Sequence, residues 1–104
     1  MRDKFLNLLG ICRKAGKLTL GATKTYELIN SGKAEILFVA SDLSEKTEKE
    51  LKFTAKNHNV AVVRTDYSIE TLSAAIGAPA GVLSVSDQGF ATALKNKLNG
   101  GSTQ

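Results

Sequence analysis

Residues 21–42 read GATKTYELINSGKAEILFVASD, and two different periodicities meet inside that stretch. Between Gly21 and Gly32, the residues Ala22, Thr25, Tyr26, Leu28 and Ile29 fall on one stripe at helical spacing, which predicts a helix with a single buried face. Gly21 opens it and Asn30-Ser31-Gly32 closes it. The period then changes, because Glu35-Ile36-Leu37-Phe38-Val39-Ala40 is an almost unbroken apolar run with β-branched and aromatic content. A run without polar alternation predicts a strand buried on both faces. Such a strand requires helices above and below it.

Both flanks supply them. Towards the N-terminus, Phe5, Leu8, Leu9 and Cys12 recur at helical spacing, with Asp3 placed to cap the start, a basic last turn at Arg13 and Lys14, and Gly16 suited to a left-handed stop. Lys17-Leu18-Thr19-Leu20 is a short extended piece. Towards the C-terminus, Ser41-Asp42-Leu43-Ser44 offers capping side chains for a charged helix over 45–58. Leu51 and Ala55 form its apolar side, and Glu45–Lys49 and Glu48–Lys52 are favourably ordered i,i+4 pairs. Val60–Arg64 predicts a second buried strand, Ser68 a cap for a helix ending at Ile76 before Gly77, Gly81–Ser86 a further strand, and Asp87 a cap for a last helix through Leu98. The expected fold is α/β, a three-layer α/β/α sandwich around a small mixed sheet. One domain is expected over residues 1–99, and residues 100–104, which lack apolar side chains, are expected to form a flexible tail.

The chain has 104 residues, in the single-domain range, with one cysteine and one histidine. Cys12 and His58 alone do not assemble a zinc site or a disulfide framework, so no metal or other cofactor is expected. No stretch approaches the ~20 apolar residues of a membrane span, and the N-terminus leads into an amphipathic segment; a cytoplasmic protein without a membrane partner is the expectation. The formal net charge is +4. Its distribution is uneven: residues 1–33 carry seven basic against two acidic side chains, a net +5, while residues 34–104 carry seven against eight. Clustered Lys and Arg favour a polyanionic partner, because they release counterions from a phosphate backbone.

Catalytic constellations are weak. Cys12 falls on an apolar stripe, His58 ends the charged helix, and Asp42 precedes a helix it is placed to cap; Asp66 also follows a strand, but one histidine completes no Ser/His/Asp set. Gly16 and Gly21 have the spacing of a phosphate-binding loop, yet Ala22 stands where that motif requires lysine. What remains is the helix start at Gly21. The N–H groups following it lack intrahelical partners and suit phosphates or base acceptors, with Thr23, Lys24, Lys17 and Lys33 nearby in sequence. Equally, Gly21 and Thr23 serve to turn the chain and cap the helix.

The Ala15-Gly16-Lys17 turn, Gly21, Gly32, Lys33, the strand ending Val39-Ala40-Ser41-Asp42 and the segment Leu72–Gly77 together resemble the superfamily of ribosomal proteins L7Ae and L30e, and within it the small bacterial YlxQ-type proteins. The resemblance covers nearly the whole chain. The eleven-residue spacing of Gly21 and Gly32 before a buried strand is its most specific part. It implies an α/β/α sandwich that recognises kink-turn or related helix-loop-helix RNA. The carried-over contact residues are Gly21, Ala22, Thr23, Lys24 and Glu27 at the helix start, Ala78, Pro79 and Ala80 beside an extruded base, and Lys17 and Lys33 on phosphates. The chain departs from the archaeal pattern, which has Asn-Glu at the positions of Thr23 and Lys24, Lys at Glu27 and Arg at Ser31. The expectation is a monomeric, non-enzymatic binder of structured RNA, such as ribosomal RNA or the ribosome. A protein–protein interaction module on the same scaffold is the alternative, and a small enzyme or a detached substrate-binding domain of an RNA-modifying enzyme is a third.

Overall fold

The elements run α1 (Lys4–Lys14), β1 (Leu18–Leu20), α2 (Ala22–Asn30), β2 (Ile36–Val39), α3 (Glu45–Asn57), β3 (Ala61–Arg64), α4 (Ile69–Ile76), β4 (Val82–Val85) and α5 (Gln88–Gly100) in a computed structural model that describes residues 3–100. The four residues of β2 are all buried. Ile36 and Phe38 enter a cluster with Phe5, Leu9 and Cys12 of α1, Leu72 and Ile76 of α4 and Leu94 of α5. Leu37 and Val39 point the opposite way, to Ile29 of α2 and Leu51 and Ala55 of α3. Helices on both faces thus explain why the 35–40 run carries no polar alternation, and the chain has the three-layer α/β/α architecture with a mixed sheet. Phe38 is fully buried with its ring 5.3 Å from that of Phe5 in an edge-on arrangement. Replacing a side chain in such a place by alanine typically costs about 3–5 kcal/mol.

The sheet order is β1-β4-β2-β3. β2 and β3 are parallel, Ile36 opposite Ala61, whereas β4 runs antiparallel to both neighbours, with Val85 opposite Ile36 on one side and Leu18 on the other. The strand expected at 60–64 exists but is not buried as expected: Ala61 and Arg64 are exposed, and Val62 and Val63 only half-buried. β3 is an edge strand with β2 as its one neighbour. An apolar run of that length does not by itself distinguish a central from an edge position.

Four helix starts are capped by side chains. Asp3 Oδ1 accepts from the Leu6 amide at 3.0 Å, Ser44 Oγ from Thr47 at 3.2 Å, Ser68 Oγ from Thr71 at 3.0 Å and Asp87 Oδ2 from Phe90 at 2.9 Å. Asp42 caps as well, though not the helix directly after it: its Oδ1 accepts from the amide of Ile69, the first residue of α4, at 2.8 Å. Along α3, Glu48 meets Lys52 at 3.0 Å and also Arg64 at 3.8 Å, while Glu45 and Lys49 form no such pair. Residues 101–104, the remainder of the expected tail, lie outside the described residues, and Gly100 falls within α5.

Candidate nucleic-acid interface

α2 begins differently from every other helix described. Gly21 stands at its N-cap with φ 94° and ψ 154°, no side chain hydrogen-bonds to its first turn, and that turn holds no acidic residue. The backbone there is essentially restricted to glycine. Space is not the reason, since nothing lies within 4 Å of a Cβ built at Gly21. The Gly21 amide is itself used, donating to the Val82 carbonyl at 2.9 Å, and the Gly21 carbonyl accepts from Thr25 at 3.2 Å. Among the described residues, the amides of Ala22, Thr23 and Lys24 find no acceptor. They form the positive end of the helix dipole. Thr23, Lys24 and Glu27 are exposed along the outer side of the same helix, while Thr25 and Ile29 are buried against the sheet.

The loop joining α4 to β4 lies beside this helix start, because both attach to the beginning of β4. Gly77 takes the left-handed conformation at φ 85° and ends α4, with its amide donating to Ser73 O at 2.8 Å. The Ser73 hydroxyl accepts from the Ala80 amide at 2.9 Å, and Arg13 Nη1 of α1 donates to the Ile76 carbonyl at 2.8 Å. The loop is therefore braced from its own helix and from α1 before β4 begins. Neither Ser73 nor Arg13 belongs to the residues expected from sequence, and a contact spanning 63 positions leaves no periodic or motif signal. Pro79 is exposed and Ala78 half-buried. Ala80 is only 1% exposed and packs in the core beneath, so the loop presents two of the three expected residues at its surface.

Lys17 and Lys33 lie elsewhere. The Lys17 carbonyl accepts from the Ser86 amide at 3.0 Å, and Lys33 follows the C-terminal end of α2, where Glu35 donates to Val85 at 2.7 Å. Gly21, in contrast, is bonded to Val82. Three residues of strand separate these ends by about 10 Å, and the length of α2 by about 13 Å. The structure thus joins Gly21, Ala22, Thr23, Lys24, Ala78 and Pro79 at one end of the sheet, with Glu27 one turn along α2. It sets Lys17 and Lys33, both exposed, at the other end.

The remaining chemistry-bearing side chains have structural surroundings. Burial, with the charge of Asp87 adding to it, pushes the Cys12 thiol up to about 11, so little thiolate is present at neutral pH. His58 closes α3 with a ring nitrogen 3.1 Å from the Thr54 carbonyl oxygen. Among the described residues no three His, Cys, Asp or Glu side chains gather as metal ligands, and no helix is long and apolar enough to cross a membrane.

Residues 3–95 match the sequence family described as ribosomal protein L7Ae/L30e/S12e/Gadd45. The RNA-binding protein YlxQ of Enterococcus faecium is 36% identical over 99 residues, covering 95% of each chain. A protein of unknown function from Bacillus halodurans superposes with a TM-score of 0.88 at 25% identity, covering 94% of this chain and 99% of that one. The 15.5kD RNA binding protein of Giardia lamblia superposes with a TM-score of 0.73 at 20% identity over 96% of this chain and 89% of its own, a likeness of fold.

Proposed function

The chain belongs to the ribosomal protein L7Ae/L30e/S12e/Gadd45 family, and on that premise we propose that it is a non-enzymatic protein that binds structured RNA through the start of α2 and the loop after Gly77. The uncapped N-terminus of α2 carries this proposal. Three backbone amides and a helix dipole there have no protein acceptor among the described residues, beside a braced apolar loop. Phosphate oxygens and the O6 and N7 acceptors of guanine match these donors, and the Lys24 ammonium matches the same two guanine atoms. Thr23 supplies a hydroxyl that makes a single contact to a base edge. Ala78 and Pro79 offer a small apolar surface for a base turned out of its helix. Proteins read RNA chiefly at such bulges and loops, because paired A-form grooves hide the base edges.

The substrate class is a sharply bent helix-loop-helix RNA of the kink-turn kind, within ribosomal RNA or another structured RNA. Lys17 and Lys33 then contact phosphates of a helical arm running along α2, adding affinity without sequence information. The protein acts as a monomer, in the cytoplasm with its RNA. The 36% identity to a protein named as RNA-binding supports the RNA-binding part of this reading.

Thr23→Glu provides the test. A carboxylate in the first turn favours the helix dipole and is expected to raise stability by about 0.3–1 kcal/mol. The same charge faces the RNA, so affinity for a kink-turn hairpin or a ribosomal RNA fragment is expected to fall at least ~10-fold in filter binding. A stabilised variant with undiminished affinity sinks the proposal. Glu27, exposed one turn from Thr23, favours a second reading in which the same face binds a protein; in that case the partner co-purifies equally well after ribonuclease digestion.

A further inference from the structure

A groove of about 640 Å³ separates α1 from the C-terminal half of α4, and apart from the Arg13–Ile76 brace none of its lining has a place in the surface described above. Its walls include Leu6, Asn7, Gly10 and Ile11 of α1 and Ala75 and Ile76 of α4, with Arg13 and Lys14 on its rim. Gly10 creates the space. It stands in the interior of a helix, where glycine is a poor helix former, and nothing lies within 4 Å of a Cβ built on it. Ile11 beside it is 55% exposed, one of only two large hydrophobic side chains so exposed among the described residues.

The charges along the groove are polarised. Asp3 at one end is engaged by the Tyr67 hydroxyl at 2.6 Å and the Leu6 amide at 3.0 Å. Arg13 and Lys14 stand at the other end, about 15 Å along the helix. Arg13 spends one donor on the Ile76 carbonyl and finds no other acceptor among the described residues, which leaves most of the five guanidinium N–H donors free. Ile76, whose carbonyl Arg13 holds, is the last residue of α4 and directly precedes Gly77. A volume of this size lies within the range of ~300–1,000 Å³ found for small-ligand pockets.

We propose that this groove is a subsite for an unpaired nucleotide flanking the bent RNA, a deepening that rests on the RNA-binding reading. The base lies over Gly10 against Ile11 and Ala75, with the Asn7 amide offering both donor and acceptor to its edge. The phosphate is held by Arg13 and Lys14 at the end remote from Asp3.

A five-residue oligoadenylate, titrated into the full chain and followed by amide chemical shifts, tests it. Shifts are expected at Gly10, Ile11 and Lys14. Gly10→Leu, which fills the groove with a better helix former, is expected to weaken pentamer binding at least ~10-fold, and Lys14→Glu at the exposed rim to do so even if the leucine variant folds poorly. Thr23→Glu is expected to leave these shifts unchanged while it weakens binding of the kink-turn hairpin, so the two surfaces fail separately. The subsite is overturned by absent shifts at Gly10–Lys14, by shifts that persist in both groove variants, by equal binding of inorganic pentaphosphate, or by shifts that follow protein concentration alone.

Discussion

α2 and α4 are helices of nine and eight residues that begin in opposite ways. α4 starts with Ser68 holding the Thr71 amide, Asp42 holding the Ile69 amide, and Glu70 in the first turn. α2 starts with Gly21 and none of these. A side-chain cap is worth about 1 kcal/mol over alanine and about a few tenths over the glycine that starts α2, so the chain forgoes a little stability at one helix start that it secures at the other. Both helices pack on the sheet with buried apolar residues, and local folding need does not separate them. Their surroundings do. The start of α4 is closed by side chains from two segments, whereas the start of α2 stands open next to the loop after Gly77.

Removing the caps of α4 is expected to give the largest change. Ser68→Ala combined with Asp42→Ala should lower stability by about 2–3 kcal/mol in urea unfolding while leaving the RNA affinity of the folded molecules unchanged. A loss of affinity at full folding would erase the distinction between the two starts. A smaller effect is expected at α1, whose cap is shared: Asp3 accepts from Leu6 and from the Tyr67 hydroxyl, and the Tyr67 and Phe5 rings stack 5.5 Å apart. Burial, then the hydrogen bond to Asp3 and the charges of Asp3 and Asp66, raise the Tyr67 hydroxyl from 10.0 to about 12. A raised value in the folded state means this contribution is complete below pH 10 and is lost as pH rises towards 12. Burial alone would raise the Asp3 carboxyl, but hydrogen bonds from Tyr67 and from the Leu6 and Phe5 amides hold it lowered. Its contribution is therefore lost only on acidification through that lowered value. Tyr67→Phe should cost about 1 kcal/mol near neutral pH and flatten the alkaline decline in a series of urea unfolding curves. The smallest effect concerns Thr25, on the inner face of α2. Its hydroxyl is fully buried without a hydrogen-bond partner, so Thr25→Val should leave the thermal midpoint unchanged or raise it, within about 1 kcal/mol.

Local chemistry made much of this fold legible. The doubly buried run at 36–39, the helix stop at Gly77 and the caps at Asp3, Ser44, Ser68 and Asp87 each follow from residue type and spacing within a few positions. What escaped was whatever depends on position across the sheet. Val60–Arg64 has the apolar content of a central strand but lies at an edge, because strand order is fixed by pairings between distant segments. Lys17 and Lys33 lie close to Gly21 and α2 in sequence, yet a strand and a helix carry them to the other end of the sheet. Ala80 sits in a loop by sequence and in the core by packing, since the Ser73 hydroxyl draws its amide inward. Arg13 and Asp42 each act on segments more than twenty positions away, where no local pattern reaches.

The placement of β4 between β1 and β2 also sets an order of assembly. The parallel pair β2 and β3 with α3 closes within residues 36–64, so it is able to form while the rest of the chain is still emerging during synthesis. β1 has no strand partner until Val82–Val85 arrives, more than sixty residues later. Contacts of such long range are the slow ones in folding. The Gly21–Val82 hydrogen bond forms only with that last strand, so the start of α2 is fixed against the sheet only once residues 82–85 have been made.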